Sequence, residues 1–291
     1  GKIFLNLWGQ VLWGCEHVPG EYQEQAAETG SEGTVSTAVV VLERLTSMFY
    51  LYDGTFDGFL CCVYAHYYQE RADGIRIKGG EQMQLFYEKV ISTDYTISHR
   101  VFDGLKGRLG QEICEKIFRA FLSDLPGKEM MTLNYIILCL KGGRGMDVYR
   151  THPDILAVQK ASECVAREAH RFLGWLRFSD IQGVLYAAYE PEADLTGLIM
   201  PHFADRLRHE RFILHDRRRK KAGVYAKGYW EERPFDRDLR MYRSAGEIMT
   251  EEAWQAYFDH IAIPERENRK LQQHFMPFKI RKNLTEKITC P

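Results

Sequence analysis

Val184-Leu185-Tyr186-Ala187-Ala188-Tyr189-Glu190, a helical pattern over 195–207, then Phe212-Ile213-Leu214-His215 and Val224-Tyr225-Ala226-Lys227-Gly228-Tyr229-Trp230 form the stretch on which the fold turns. The short runs are rich in aromatic and β-branched residues and have strand length, whereas 195–207 repeats its apolar residues at helical spacing. Phe172-Leu173-Gly174-Trp175-Leu176-Arg177-Phe178 reads as a further strand. The order is β-β-α-β-β, and we expect an antiparallel sheet of the α+β class rather than alternating βαβ units.

Outward from this unit the pattern is mostly helical. Residues 49–52 read as a strand, after which Thr55 can cap a helix over 56–69. The segment 95–102 reads as extended. A helix over 105–123 places Ile113, Ile117 and Phe121 on one stripe, and 128–140 is apolar on most sides. Thr151 and Pro153 open a helix to about 171, with Ile155, Val158, Val165 and Ala169 turned inward. Beyond 244, Thr250 is expected to cap 251–261, and Pro264 to open a helix to 275. The expected architecture is a helical N-terminal part packed on the antiparallel unit, followed by a helical C-terminal segment.

The 291 residues, 45% hydrophobic and 27% charged, belong to a globular chain with room for a sizeable core. We take 48–291 as a single α+β domain. Residues 1–47 carry an apolar start and then an acidic, Gly/Ser/Thr-rich run, and we read them as an extension, disordered or from a misplaced start. A signal peptide or lipid anchor fits less well, because Lys2 is the one base ahead of the apolar core and Trp13 lies close before Cys15. The seven cysteines form no Cys-x-x-Cys pair, as expected for reduced thiols in a cytoplasmic protein. No apolar run reaches membrane-span length.

The net charge of −1 conceals an uneven distribution. Residues 204–243 hold thirteen bases and seven acids, including the unbroken run Arg217, Arg218, Arg219, Lys220 and Lys221. On a strand–turn–strand this run would project from a hairpin tip, with Tyr225, Tyr229 and Trp230 on the return strand. Mobile positive charge beside stackable rings suits single-stranded or distorted nucleic acid, while a solvated turn is the plain alternative. Asp216, at the strand end, is a turn-capping residue, or else a carboxylate that orients a base or binds a metal.

Two other groupings could carry chemistry. Glu168 lies at the apolar margin of its helix, near His170, Arg171 and Arg177, and must be paired or neutralised there. A helix-to-strand salt bridge and a phosphate-binding site both satisfy that need. His202 and Arg206 follow the apolar stripe of 195–207 unless Pro201 starts a new helix. They form either a hydrogen-bonded core histidine with a surface arginine or an acid–base group with an anion clamp. Phosphate-loop, dinucleotide, zinc and nucleophile-elbow motifs are absent, and we expect no metal and no bound cofactor.

Tyr52-Asp53-Gly54-Thr55-Phe56-Asp57-Gly58-Phe59-Leu60, Glu168-x-His170-Arg171-Phe172-x-Gly174-x-x-Arg177-Phe178, Pro201-His202-Phe203 with Arg206, and Asp216-x-x-Arg219 resemble a bacterial family assigned to DNA repair or DNA metabolism. Glu267-Asn268-x-x-Leu271-Gln272-x-x-Phe275-Met276-Pro277 and Lys282-Asn283-Leu284-Thr285-Glu286 resemble its C-terminal end. The similarity runs from about 48 to 287, around a core of unknown function at about 85–245. It implies a partner, a radical-SAM protein of DNA repair encoded alongside, and relatives fused to a uracil-DNA-glycosylase-like domain. No reaction is implied.

Two functions follow. One is a DNA-binding module in which residues 217–221 grip phosphates, a ring such as Tyr225 stacks on a base and the partner supplies the chemistry. The other is a DNA-acting enzyme using Glu168, His170, His202 or Asp216 as acid or base, with Arg171, Arg177 and Arg206 on phosphate. The domain boundary is testable separately: deleting residues 1–46 should leave a soluble protein that melts cooperatively, and loss of the cooperative transition would place those residues inside the domain.

Overall fold

The computed structural model describes residues 47–79, 87–261, 263–266, 268–276 and 284. The expectations for 1–46, and the resemblance at 267, 277–283 and 285–286, lie outside those residues. The chain divides into two compact units, one containing the described residues through Phe121 with Leu125–Ser162, the other Leu122–Asp124 and the residues from Glu163 on.

In the first unit β1 (Met48–Tyr52) is central to a parallel sheet between β2 (Gly74–Ile77) and β3 (Tyr87–Val90). The expected Thr55 cap forms, accepting the Gly58 N–H at 3.0 Å, and starts α1 (Phe56–Tyr68). Residues 95–102 are helical instead of extended: Asp94 accepts the N–H groups of Thr96 and Ile97 at 2.8 and 3.2 Å and opens α2 (Tyr95–Leu109). Ser98, Phe102, Leu105 and Leu109 are its buried residues. That 3.6-residue period outweighs the β-branched and aromatic content of the segment. Gly110, at φ 88°, separates α2 from α3 (Gln111–Leu122), so the helix expected over 105–123 is two helices. With α4 (Lys128–Gly142), these helices contribute Phe59, Ile117, Leu133 and Ile136 to the core beside Tyr50 and Tyr52. The Tyr52 hydroxyl donates to Glu129 at 2.9 Å, so the buried phenol is satisfied.

In the second unit the sheet order is β4 (Ser179–Asp180), β5 (Leu185–Tyr189), β6 (Phe212–Asp216), β7 (Lys221–Ala226) and β8 (Tyr229–Pro234). The wholly antiparallel unit expected from the sequence is corrected here: β5 and β6 are parallel, with Tyr189 beside Asp216. The helix between them, α6 (Thr196–Arg206), returns the chain to the end of the sheet at which β5 starts, which makes β5-α6-β6 a crossover. The remaining neighbours pair antiparallel. The segment 172–178 is not a strand either, because α5 (Pro153–Trp175) continues its buried stripe from Val165 and Ala169 to Phe172. Phe172 meets Tyr189 edge-on at 5.2 Å. Likewise 224–230 is not one strand: Lys227 and Gly228, at φ 52° and 79°, make the two-residue turn between β7 and β8.

Pro201 lies inside α6 and does not restart it. Gly223 on β7 lets the helix approach closely, since a Cβ there would lie 2.5 Å from the Sδ of fully buried Met200. After β8 come a 3-10 turn (Leu239–Tyr242), α7 (Ala245–Ile261) and α8 (Arg269–Phe275). Ser244, rather than Thr250, caps α7, accepting the Glu247 N–H at 3.1 Å. Gly223→Ala should destabilise the fold by ~1–3 kcal/mol in urea melts, and Met200→Ala in the same chain should cost less than the sum of the two single changes. Strict additivity would show that the two side chains do not meet.

Candidate functional site

Asp216 ends β6 with no solvent exposure. Its carboxylate accepts the backbone N–H groups of Arg218 and Arg219 at 3.0 and 3.1 Å and the Arg219 Nη1 at 3.1 Å. Burial pushes its carboxyl above the usual carboxylate range, and the Arg219 hydrogen bonds and charge oppose that rise. The two backbone bonds wrap residues 217–220 into a turn, which Lys220 completes at φ 51° before β7 begins.

The basic run forms the β6–β7 hairpin tip, as expected, but its side chains are paired with carboxylates. Arg217 lies 3.6 Å from Glu190 and 3.7 Å from Asp238. Arg218 pairs with Asp124 and donates to the Glu192 carbonyl at 3.2 Å. Arg219 reaches past Asp216 to the carbonyls of Pro191 and Glu192. Lys220 meets Asp236 at 3.0 Å, with both side chains about two-thirds exposed. Lys221 is held between Asp194 at 2.8 Å and Glu232 at 2.7 Å. The five bases therefore face seven carboxylates.

Glu168 belongs to the same assembly. From α5 it accepts the N–H groups of Glu192 and Ala193 at 2.7 and 3.0 Å, so the loop after β5 is held by Glu168 from one side and by Arg218 and Arg219 from the other. Neither the Glu168–Arg171 nor the Glu168–Arg177 pair forms: Arg171 lies over the Trp175 ring, 5.9 Å from its centre, and Arg177 donates to the Gly174 carbonyl at 2.9 Å, at the C-terminal end of α5. His170 is exposed on α5. His202 is half-buried and edge-on to Phe203, where burial and then the Arg206 charge push its pKa down; Arg206 is exposed. Of the residues singled out in the sequence, the structure thus gathers Glu168, Asp216, Arg217, Arg218, Arg219 and Lys221 around one loop. His202 packs on Phe203, Arg171 lies over Trp175 and Arg177 bonds the end of α5, while His170 and Arg206 are exposed.

Tyr225 cannot stack on a base. It is buried, stacks on Phe212 at 4.9 Å and donates its hydroxyl to the Arg208 carbonyl at 3.0 Å. Trp230 is buried as well, whereas Tyr229 is 49% exposed.

Sequence reading missed two groupings. Asp194 and Glu232 answer Lys221; burial opposes charge on the lysine, but the two carboxylates outweigh it and hold its pKa above the usual range. Glu232 is raised by burial against the opposing pull of Lys221. Glu190, Glu192 and Asp194, three acids in five residues just after the strand pattern, were the available signal. The second is His215, buried and 2.6 Å from the Tyr186 hydroxyl through Nδ1, with burial lowering its pKa. Among the described residues no group of three or more His, Cys, Asp or Glu is placed to hold a metal ion, and no helix is long and apolar enough to cross a membrane.

Asp238 gives a pH test of this network. The Arg240 hydrogen bonds, against burial and with help from Arg217, pull its carboxyl from 3.8 to about 2. A carboxyl depressed by folding contributes stability above its unfolded pKa and loses it as pH falls through the folded value, here from near 4 to 2. Asp238 is a third exposed, so solvent screening leaves ~1 kcal/mol. Asp238→Asn should lower stability by about that amount at pH 7 and shrink the loss between pH 4 and 2 in urea melts. An unchanged acid limb would show that the pairing adds no net stability.

No curated protein matches the chain. Among known families, residues 126–286, more than half of the sequence, match a domain of unknown function, DUF4130. The protein is a member of that family of domains of unknown function.

Proposed function

We propose that the chain is a DNA-binding module of DNA repair or DNA metabolism that engages single-stranded or damaged DNA and leaves chemistry to a radical-SAM partner. The observation that carries this reading is the fate of the candidate acid–base groups. Glu168 is committed to two backbone N–H groups, His170 is exposed, and His202 is packed on Phe203. An acid–base pair needs its members within hydrogen-bond reach of one reacting position, and among these three groups none hydrogen-bonds another. What supports DNA as the ligand is the surplus of six bases over acids in 204–243, part of which, Arg208, Arg211 and Lys227, is exposed and lies outside the paired run, together with the family resemblance.

One observation favours the alternative, a DNA-acting enzyme. Asp216 and Glu232 are both raised by burial close to Lys221, and perturbed titrations gather at reactive sites. Internal ion-pair networks produce the same shifts, which leaves this reading second.

A labelled single-stranded oligonucleotide, titrated by fluorescence anisotropy at several salt concentrations, tests the proposal. Affinity should fall with salt at a log–log slope of about −0.7 per phosphate contact, and Glu168→Gln and His202→Gln should bind as the parent does. Neither the chain alone nor those variants should change the DNA, whereas adding the radical-SAM protein should. Absence of binding at low salt would sink the module, and a product formed by the chain alone would establish the enzyme.

A further inference from the structure

We propose that the single-stranded contact lies at the opposite end of the second sheet from the basic run, on Arg208, Arg211, Lys227 and Tyr229. This inference rests on the DNA-binding reading above and names the surface that would carry it.

The two ends of the sheet differ in what their charges have to do. At the Asp216 end five bases meet seven carboxylates, so a phosphate arriving there competes with partners already in place; Lys220, whose pair with Asp236 is about as exposed as that of Arg208, is the most accessible of the five. The other end lies about 13 Å away along β6, at ~3.3 Å per residue. There the β7–β8 turn presents Lys227, and Tyr229 follows on β8, opposite Ala226. The Tyr225 hydroxyl binds the Arg208 carbonyl, which fixes the α6–β6 connection against the end of β7. Arg211 sits immediately before β6, its carbonyl accepting the Leu185 N–H and its guanidinium donating to Gly183 at 3.3 Å. Strand pairing and hydrogen bonds onto backbone carbonyls therefore set these residues at one sheet end.

The charges there are accessible. Arg208 is 65% exposed and, among the described residues, its guanidinium pairs with a wet Asp205 at 3.8 Å, a pairing of the kind worth ~0–1 kcal/mol and readily exchanged. Arg211 and Lys227 are exposed. Asp180, whose carboxylate accepts the Gly183 N–H at 2.6 Å, and Glu210 are exposed acids nearby that offset part of this charge. Tyr229 adds what phosphate binding alone does not need, a half-exposed ring on a short, ordered hairpin. A ring among accessible cations suits an unpaired base with its flanking phosphates better than a duplex, whose bases are already stacked.

The test uses the full chain and the labelled single strand. Arg208→Ser, Arg211→Ser and Lys227→Ser combined should weaken binding by about tenfold or more and make the salt slope shallower by about two units. Tyr229→Ala should weaken it about fivefold or more, with Tyr229→Phe restoring it, because stacking needs the ring and not the hydroxyl. Lys220→Ser, at the other end, should leave affinity within about twofold of the parent. If the triple variant melts early, Lys227→Ser alone, on a solvent-facing turn, should still weaken binding by about twofold or more. Unchanged binding in the triple variant, or a Lys220→Ser defect of equal size, overturns this placement while leaving DNA binding intact. Equal loss of duplex binding on Tyr229→Ala overturns the single-strand assignment, and failure of the parent chain to bind any DNA overturns the underlying reading itself.

Discussion

The buried carboxylate of Asp216 is the constraint on which the second unit's organisation depends. A charge with no solvent exposure must be matched by donors near at hand, and Asp216 finds two in the backbone just after it and a third in Arg219. Satisfying the anion bends the chain into the turn. The same requirement points Arg219 inward, where its remaining donors reach the carbonyls of the loop after β5. Because β5 and β6 run parallel, Tyr189 and Asp216 end side by side, which is why a turn after one strand can brace a loop after the other. Glu168 completes the arrangement by accepting that loop's N–H groups.

This explains how a basic run can be conspicuous in sequence and modest in electrostatic effect. Counting charge along the chain places thirteen bases and seven acids in 204–243, but a count along the chain omits Asp124, Glu190 and Asp194, which come from other elements. Pairing cancels the far field of a charge even where the pair itself contributes little to stability. A cation's value to a polyanion depends on whether its carboxylate partner is fixed or easily displaced. Lys221, between two carboxylates and largely buried, is of the first kind; Arg208, with its distant and wet Asp205, is of the second.

The local signals in the sequence were sound where one element decides its own structure. The Thr55 cap, the helix at 128–140 and the strand at 212–215 were legible because capping chemistry and apolar period are short-range properties. Failures arose where two periodicities competed. Segment 95–102 has strand-like composition with a helical buried face, and Phe172 reads as the start of a strand although it is the last buried step of α5. Strand direction was beyond reach of a motif: whether 184–190 and 212–215 run parallel depends on where α6 delivers the chain. The candidate site was legible in its residue types but not in its pairings. Glu168 was correctly seen as needing neutralisation, yet its partners are backbone groups, which carry no sequence label.

The nature of those pairings also bears on catalysis. A lysine that is to give or take a proton at neutral pH needs its pKa brought down, usually by burial without compensation or by a neighbouring cation. Lys221 has burial, but Asp194 and Glu232 overcompensate and keep it charged. Asp216 has a raised carboxyl but no solvent exposure, and its oxygens are engaged by the turn's own donors. For either group to act on a substrate, the network that shapes the turn and the loop would first have to come apart. Its chemistry is therefore that of a brace, and a surface that binds without rearranging the brace is the less demanding use of this fold.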